Sequence, residues 1–405
     1  MCRILTTYTL MMFVCLLLCD CKKPYNPPAI GAAPNLLVVE GNINPGSDST
    51  IIHLTHTLSL SAPADTLPTP ELDATVSVES DANATYPLTA IGNGYYVSTG
   101  LNLSTTNNYR LKIITSNNKT YQSDYVPVKN SPSIDSVNFN VQNTGVQVNV
   151  SAHDISNNSR YYMYKYQETW IIHADYDSGL ELIKGTDGSG NMIYSVVGRQ
   201  PQDQIFQCWS SDASTSIILG STDKLTKDIL LNSPVTFIDS HSEKISNRYS
   251  ILVKQYTLTK EAYEYYQLLS KNTEKIGSIF DPQPSMLTGN IHNVADPSEQ
   301  VIGYVTAGTF TQQRVYINRY DLPGTLQYLT SLPYDNCMVD SLYFSDPRSQ
   351  QNTVDANLYH GDAIPLWAIQ LPGGPLLGYA VSGGICADCT LRGTNVRPAF
   401  WVDAQ

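Results

Sequence analysis

Basic residues are scarce in this chain. Lys and Arg together number 24 of the 405 residues, against 36 Asp and Glu, and they are scattered along the sequence. Proteins that bind nucleic acid through its phosphates need a concentrated basic surface, so this composition argues against that class. The formal net charge of -12 also argues against attraction to anionic lipid head groups.

Familiar catalytic signatures are also missing. The sequence contains no G-x-S-x-G, H-E-x-x-H, phosphate-binding P-loop or G-x-G-x-x-G stretch. His53 and His56 are three residues apart on a predicted strand, so their side chains point to opposite faces and do not chelate one metal. The other histidines are isolated in the sequence. We therefore predict no catalytic residue, no metal site and no cofactor.

The segment "GTDGSGN", residues 185–191, brings acidic and amide oxygens close together, as calcium-binding loops do. It lacks the glutamate that closes such a loop, and it is rich in glycine. We therefore interpret it as the turn of a hairpin between "LELIK" and "MIYSVV".

The N-terminus has the pattern of an export signal. An apolar run over about residues 8–18 follows a single cation, Arg3. The run is too short to span a bilayer as a mature helix, but it has the length of a signal-peptide core. It ends on "LCDC" rather than on small residues, which is typical of a bacterial lipoprotein precursor. We predict a lipoprotein signal peptide over 1–20 and lipid attachment at Cys21, with Cys19 as the alternative.

The polar, proline-rich stretch "KKPYNPPAIGAAPN" follows Cys21 and predicts a tether over residues 21–34. Asp20 stands where lipoprotein precursors usually carry Ser, Gly or Ala, so a plain secretory signal with incidental cysteines is the alternative. We predict an exported chain that is held at the outer membrane by its lipid alone.

The mature chain is long enough for two domains, because about 380 residues exceed what one compact core usually holds. Residues 35–130 contain short runs of branched and aromatic residues, which predict an immunoglobulin-like or transthyretin-like β-sandwich. Asn117–Asn118 is the predicted tip of one of its hairpins. The segment "VKNSPSIDS", residues 128–136, interrupts the pattern. Residues 131–405 are predicted to form a larger β-rich domain with one or two helices.

Two periodic stretches stand out in this second domain. Val146, Val148 and Val150 alternate with polar residues, which predicts a strand with one buried face. Apolar residues recur at helical spacing near 259–276, which predicts a helix. Thr259 is suited to cap its start, and Gly277 is suited to end it.

The stretch "RYYMYKYQETWII", residues 160–172, is predicted to be one long strand. Its even positions place five side chains on one face: Tyr162, Tyr164, Tyr166, Glu168 and Trp170. Two interpretations are open. Either the aromatic face packs against the sheet behind it, or it forms a partly exposed platform for a glycan or a partner chain.

Four cysteines follow the signal region: Cys208, Cys337, Cys386 and Cys389. An even number in an exported chain predicts two disulfides. Either the C-x-x-C pair closes on itself and the other two cysteines bond, or each C-x-x-C cysteine takes one distant partner. A four-thiolate zinc site and a thioredoxin-like redox pair are less favoured. Thiols survive poorly outside the cytoplasm, and no helix is predicted after the pair.

Several stretches also have a recognisable relative. They are "LLVVEGNI", "FQCWSS", "RYSILVKQYTLTKEAYEYYQLLSKNTEKIGSIFDPQPSMLTGNIHNV", "VIGYVTAGTF" and the C-terminal "CADCTLRGTNVRPAFW". Together they resemble the Bacteroidota lipoprotein family known by its domain of unknown function 4249. The resemblance implies an outer-membrane lipoprotein, often encoded beside a TonB-dependent receptor, and it supplies no activity and no catalytic residues. Lys22 and Lys23 stand where surface-exported members tend to be acidic, so the cell-surface and periplasmic faces both stay open.

Three hypotheses about function follow. The leading one is a non-enzymatic accessory lipoprotein that binds a partner, such as a TonB-dependent receptor, or helps to capture a nutrient. The second is a glycan- or peptide-active hydrolase whose site is assembled from distant residues. The third is a structural envelope protein.

The lipid site is directly testable. Cys21→Ala should release the protein from the membrane fraction, because the mature chain is expected to have no other anchor. Metabolic labelling with a fatty acid, followed by membrane fractionation, measures both effects. Labelling that persists in this variant would assign the anchor to Cys19.

Overall fold

The computed structural model describes residues 35–59, 62–63, 65–274, 287–327, 334 and 337–403. The predicted signal peptide, the tether and the lipid site at Cys21 lie outside these residues. Within them the chain is mostly β, as predicted, with 26 strands and three α-helices.

The strands fall into two groups along the chain. The first group is β1 (Leu37–Ile43), β2 (Thr50–His56), β3 (Thr69–Pro70), β4 (Thr75–Ser80), β5 (Thr85–Pro87), β6 (Thr89–Gly92), β7 (Tyr95–Ser98), β8 (Asn108–Ile114), β9 (Thr120–Ser123) and β10 (Val126–Lys129). The second group is β11 (Ile134–Gln142), β12 (Gly145–His153), β13 (Tyr161–His173), β14 (Leu180–Thr186), β15 (Met192–Gly198), β16 (Gln207–Ala213), β17 (Ile218–Ser221), β18 (Ile229–Asp239), β19 (Arg248–Leu258), β20 (Ile291–Asn293), β21 (Ile302–Gly303), β22 (Thr306–Gly308), β23 (Phe310–Asn318), β24 (Asp340–Tyr343), β25 (Ile364–Gln370) and β26 (Leu376–Ser382).

Strands β1–β10 form the framework of the N-terminal β unit. Its strand order is β20-β9-β8-β10-β22-β1-β2-β7-β6, with β3, β4, β5 and β21 paired beside this path. Along β8 the buried Tyr109, Leu111 and Ile113 alternate with partly exposed residues, as expected for a strand with one face on a core. Buried side chains of β1, β2, β4 and β8 belong to one hydrophobic cluster. The finer immunoglobulin-like or transthyretin-like arrangement stays a prediction.

The N-terminal unit also contains strands from much later in the chain. β21 and β22 pair parallel with β1, β22 also pairs parallel with β10, and β20 pairs antiparallel with β9. Residues 291–308 therefore lie in the first sheet, whereas the sequence placed everything after residue 130 in the second domain. The physical reason is that unpaired strand edges bind further backbone, whatever its position in the sequence.

Gly303 shows how closely the returning chain approaches β1. Its φ is +147°, and a Cβ atom there would lie 2.3 Å from the carbonyl oxygen of Val39. A residue with a side chain does not fit this approach, so glycine is required for the parallel pairing of β21 with β1.

Two sheets pack together in the central sandwich. One sheet is β11-β12-β18, and the other, five-stranded sheet is β16-β13-β19-β23 with β17 beside β13. Val146, Val148 and Val150 of β12 are fully buried, which confirms their predicted inward face. They share one core with Ile251 and Val253 of the facing sheet.

The remaining strands form the C-terminal unit. β14 and β15 pair as an antiparallel hairpin, and β26 lies between β24 and β25 in a separate sheet. The hairpin and this sheet share a small hydrophobic core. In it, Leu342, Leu358 and Val381 pack with Leu180 and Val196 of the hairpin.

Two predicted turns are confirmed. Of the predicted stretch 185–191, residues 187–191 connect β14 to β15, and the side chain and backbone N–H of Asn191 donate to the Asp187 carboxylate and lower its pKa. Asn117–Asn118 connects β8 to β9, with Asn118 in the left-handed region at a φ of +62°. Asn adopts that conformation more readily than most residues, which suits it to a hairpin tip.

The predicted helix is present as α1, Lys260–Thr273. Thr259 caps it as predicted, because its hydroxyl accepts a hydrogen bond from the N–H of Ala262 at 3.2 Å. The predicted end at Gly277 falls within 275–286, outside the described residues. The other helices, α2 (Gly324–Gln327) and α3 (Gly384–Ala387), span one turn each. In the part of the chain that the structure describes, none of these helices has the length and apolar character to cross a membrane.

The chain passes between the N-terminal unit and the central sandwich three times: from β10 to β11, from α1 to β20 through residues 275–286, which are outside the described residues, and from β22 to β23. The first and third of these passages contact each other. The Ser131 hydroxyl donates to the carbonyl of Thr309 at 2.8 Å and accepts from the N–H of Thr257 at 2.9 Å. The carbonyl of Pro132 accepts from the Thr311 hydroxyl at 2.8 Å. Because the two passages are bonded to each other and to the sandwich, they resist bending between the two units.

The core of the central sandwich is testable by substitution. Ile251→Ala should lower the free energy of unfolding by about 2–5 kcal/mol, because it removes fully buried methyl and methylene groups and leaves a cavity. Ile155→Ala is the matched control, since Ile155 is 87% exposed, and it should change that free energy by less than about 0.5 kcal/mol. Urea unfolding followed by tryptophan fluorescence measures both. Equal effects would contradict the burial of Ile251.

Candidate functional site

The C-x-x-C cysteines do not bond with each other. Cys389 bonds with Cys208 of β16, and Cys386 bonds with Cys337, with 5.7 Å between the Cα atoms in each pair. These bonds confirm the two predicted disulfides and select the arrangement in which each C-x-x-C cysteine has a distant partner. Because all four sulfur atoms are paired, none is a free thiolate for zinc or for redox exchange.

Residues 383–403 form the C-terminal clasp, which wraps around the edge strand β16. Trp209 of β16 and Thr394 of the clasp exchange backbone hydrogen bonds of 2.8 and 2.9 Å. The Arg392 guanidinium donates to both carboxylate oxygens of Glu243, at 2.9 and 2.8 Å, and lies 5.0 Å from the ring centroid of Tyr334. A two-point contact of this kind fixes both the position and the direction of the clasp.

The end of the clasp lies on the outer face of the five-stranded sheet, the face turned away from β11-β12-β18. Trp401 is 4% exposed, and its ring centroid lies 6.3 Å from that of Trp209 in β16 and 5.7 Å from that of Tyr316 in β23. Because β16 and β23 are opposite edges of this sheet, Trp401 spans its width. The outward-facing Thr169 and Ser250, which share a row with Tyr316, are buried.

The predicted aromatic row of β13 is present, but it points inward. Tyr162 and Tyr164 are fully buried, and Tyr166 and Trp170 pack against the core between the two sheets. The interpretation of this row as a partly exposed platform is therefore wrong, and packing against the sheet behind it is correct. Large aromatic rings stabilise a sandwich most when both of their faces are covered.

Two carboxylates are buried with this row. Asp228 is 1% exposed and accepts the Tyr162 hydroxyl at 3.0 Å, and Glu168 is 3% exposed and accepts the Tyr249 hydroxyl at 2.7 Å. Burial, together with the adjacent carboxylates, raises the pKa of both tyrosines, so they stay protonated and donate. Glu168 also forms an ion pair with Lys244. The interior charges therefore have partners, and we assign this network to structure.

Helix α1 covers the other end of the outer face, where Ala262 packs with Met163 and Leu258. The sheet between the clasp and α1 is open, and we call this region the trough. Its open floor consists of the two rows of side chains that include Leu252 and Lys254 of β19, between the buried Ser250 at the clasp and Tyr256 near α1.

Three cations on the trough floor form what we call the basic strip: Lys165, Lys254 and Arg314. Lys165 and Lys254 are direct partners across β13 and β19, and Arg314 lies in the next row, opposite Leu252. Within the described ranges, none of the three has a carboxylate oxygen within the 4.0 Å of an ion pair. The strip therefore concentrates positive charge in a protein whose net charge is -12.

The cations of the strip contact rings and neutral groups instead. The Arg314 guanidinium donates to the Ser250 hydroxyl at 2.8 Å and lies 3.6 Å from the ring centroid of Phe400 in the clasp. The Lys254 ammonium lies 5.1 Å from the ring centroid of Phe310. Burial lowers the pKa of Arg314. Contacts with aromatic rings stabilise a cation but leave its charge in place.

Asp48 is the acidic residue that influences the helix end of the trough. Burial raises the pKa of Tyr256, and the charge of Asp48 adds to that increase. Asp48 lies beyond the 4.0 Å ion-pair distance from Lys254, so it forms no ion pair with the strip.

Sequence reasoning did not find the strip. Each of the three cations faces outward, and the residues on either side of it along its strand face the core. That alternation is visible in the sequence. The strand register that places the three cations together is not visible, because they are far apart along the chain.

Two surface depressions are candidate active sites. The larger has a volume of about 400 Å³ and is lined in part by Asp296 and Glu299. Burial opposes ionisation of Glu299, but hydrogen bonds from Lys119 and Tyr121 outweigh it and lower its pKa, and the Ser298 hydroxyl lowers the pKa of Asp296. A general acid needs a raised pKa, so this carboxylate pair does not fit a hydrolase of that type.

Six histidines lie within 4.0 Å of a carboxylate: His53, His56, His153, His241, His292 and His360. The His56 ring is the least exposed of the six, with Nε2 2.7 Å from Glu71. Burial opposes ionisation of Glu71, but hydrogen bonds from His56 and Ser116 lower its pKa. None of the six lines either depression.

Among the residues that the structure describes, no group of three or more His, Cys, Asp and Glu side chains is arranged to hold a metal ion.

The chain matches the family described as "Domain of unknown function (DUF4249)" over residues 22–314. Since this range is well over half of the chain, the protein belongs to that family, and the resemblance in its sequence is confirmed. The match includes helix α1 and much of the central sandwich, and it ends before the clasp.

No curated protein matches the chain. Among solved structures, the adhesin InvE of Yersinia pseudotuberculosis is similar over 51% of this chain and 60% of the adhesin chain, with 16% identity and a TM-score of 0.13. The chain thus spans less than two thirds of that adhesin chain, and we base no argument on the likeness.

The disulfides are testable by mass mapping. The mature protein, digested without reduction, should yield peptides linked through Cys208–Cys389 and Cys337–Cys386 and no free thiol among these residues. Four thiols that react with an alkylating agent in the native protein would contradict both bonds.

The two bonds should differ in their effect on stability. The chain-entropy relation gives about 5 kcal/mol for the 181-residue separation and about 4 kcal/mol for the 49-residue one. The double variant C208S/C389S should therefore unfold at a lower denaturant concentration than C337S/C386S. The opposite order would show that the first bond is not the main tie of the clasp.

Proposed function

We propose that this chain is a non-enzymatic accessory lipoprotein of the outer membrane, which binds a TonB-dependent receptor through the trough. A lipid at Cys21 holds it at the membrane, on either the cell-surface or the periplasmic face. The observation that carries the proposal is the basic strip. Lys165, Lys254 and Arg314 share one open sheet face without an ion pair to any residue that the structure describes. Unpaired charge on a binding surface guides association and selects a complementary partner.

The rigidity of the trough supports the same proposal. Its floor is a sheet, one wall is the clasp that the Cys208–Cys389 disulfide ties to β16, and the other wall is α1. Such a preformed surface binds without ordering a loop first, and this reduces the entropy lost on association.

A second candidate function is a glycan- or peptide-active hydrolase. The pairing of His56 with Glu71 favours it, because the Nδ1 atom of His56 is buried without a hydrogen-bond partner. A buried imidazole beside a carboxylate is the arrangement of a general base. We rank this candidate below the first because the pair packs within the N-terminal unit. A structural envelope protein is the third candidate.

The receptor proposal is testable by affinity capture. The full chain, tagged at its C-terminus and expressed in its own host, should co-purify with a TonB-dependent receptor from detergent-solubilised envelopes. The receptor, tagged in turn, should recover this chain. An unrelated lipoprotein with the same tag is the control.

Capture that recovers no receptor, in detergent that preserves a known receptor–lipoprotein pair, would contradict the proposal. Hydrolysis of a glycan or peptide by the purified chain, abolished by Glu71→Gln, would favour the second candidate instead.

A further inference from the structure

We infer that the basic strip binds an acidic, extended segment of the partner polypeptide, with carboxylates on alternate residues. This inference rests on the proposed function and specifies the chemistry of the partner.

Lys165 and Lys254 repel each other across β13 and β19. As direct partners in an antiparallel pair, their Cβ atoms lie about 4.5–5.5 Å apart, and like charges placed opposite each other are destabilising. No carboxylate of the described residues relieves this repulsion. A carboxylate from outside, placed between the two ammonium groups, removes the repulsion and forms two ion pairs.

The position of Arg314 sets the spacing of the ligand. Arg314 lies diagonally from Lys254 across β19 and β23, where such neighbours are about 7–8 Å apart. In an extended peptide, side chains on one face repeat at about 6.6–6.8 Å. Two carboxylates separated by one residue therefore match the strand positions of Lys254 and Arg314, and the Lys254 side chain turns from Phe310 to meet its carboxylate.

The guanidinium is also held in position for this contact. One of its N–H groups is used by Ser250, and one face is covered by Phe400. Arg has five N–H donors in a planar fork, so further donors are left for a carboxylate. A guanidinium that is fixed before binding loses less entropy when it binds.

The trough itself suits an extended chain. Its floor is β-sheet between the clasp and α1, and the exposed Gln167 and Gln312 border the strip in the same two rows. Amide side chains donate to and accept from a peptide backbone, so they supply the neutral contacts that a peptide needs between its carboxylates.

The test uses fluorescence anisotropy with the full mature chain. The probe is a short labelled peptide of alternating Glu and Ser, and the matched control peptide has Gln in place of Glu. We expect the Glu peptide to bind and the Gln peptide not to bind. Affinity should fall as salt is raised, because exposed charges are screened. A polygalacturonate oligomer is the third probe, and tighter binding of this sugar polymer than of the Glu peptide would overturn the inference.

Three variants connect the binding to the strip. K165E/K254E should weaken binding by about tenfold or more, and R314Q should weaken it similarly, since each removes one or two contacts with carboxylates. K184E is the control, because Lys184 lies on the β14–β15 hairpin, and its affinity should equal that of the wild type. Equal loss in K184E, or no loss in K165E/K254E, would overturn the inference.

Failure of the inference is distinguishable from failure of the proposed function. If K165E/K254E still co-purifies with the receptor at the wild-type level, the inference is wrong and the receptor proposal stands. If the Glu peptide binds through the strip but capture recovers no receptor, the inference stands and the receptor is the wrong partner.

Discussion

The Cys208–Cys389 disulfide is the constraint on which the outer face of the central sandwich depends. It fixes the start of the clasp at one edge of the five-stranded sheet, so that Trp401 reaches across to the other edge. The same crossing brings Phe400 against the Arg314 guanidinium. One covalent bond between distant parts of the chain thus determines a wall of the trough and the position of one of its cations.

Strand β13 separates two kinds of charge. On its inner face Glu168 is buried, and it is held by Lys244 and the Tyr249 hydroxyl. Leaving such a charge without a partner costs about 3–5 kcal/mol, which is why the interior network is complete. On the outer face Lys165 has no carboxylate partner among the described residues, and water solvates it at little cost. Unpaired charge is therefore found where a ligand can reach it.

Features with a local cause were predictable from the sequence. Thr259 caps α1 by accepting a hydrogen bond from a backbone N–H three residues away. The burial of Val148 follows from the alternation of apolar and polar residues along its strand. Asn118 adopts the left-handed conformation of a turn, which Asn favours. The direction of the tyrosine row was not predictable, because β13 carries large side chains on both faces. The basic strip depends on the register of three strands, and register is set by tertiary packing. The pairing of the four cysteines was not predictable either, because tertiary packing decides which of them lie close together.

The return of β20–β22 to the N-terminal unit has a consequence for the order in which the protein folds. The side chain of Asn42 donates to the carbonyl of Gly308, 266 residues further along the chain. A newly synthesised chain therefore presents β1 and β10 long before their last neighbours emerge. Pairings over such separations form slowly, and open strand edges associate with other chains in the meantime. The first unit to be synthesised is thus completed late, and its edges are the part of the nascent protein that most needs a chaperone.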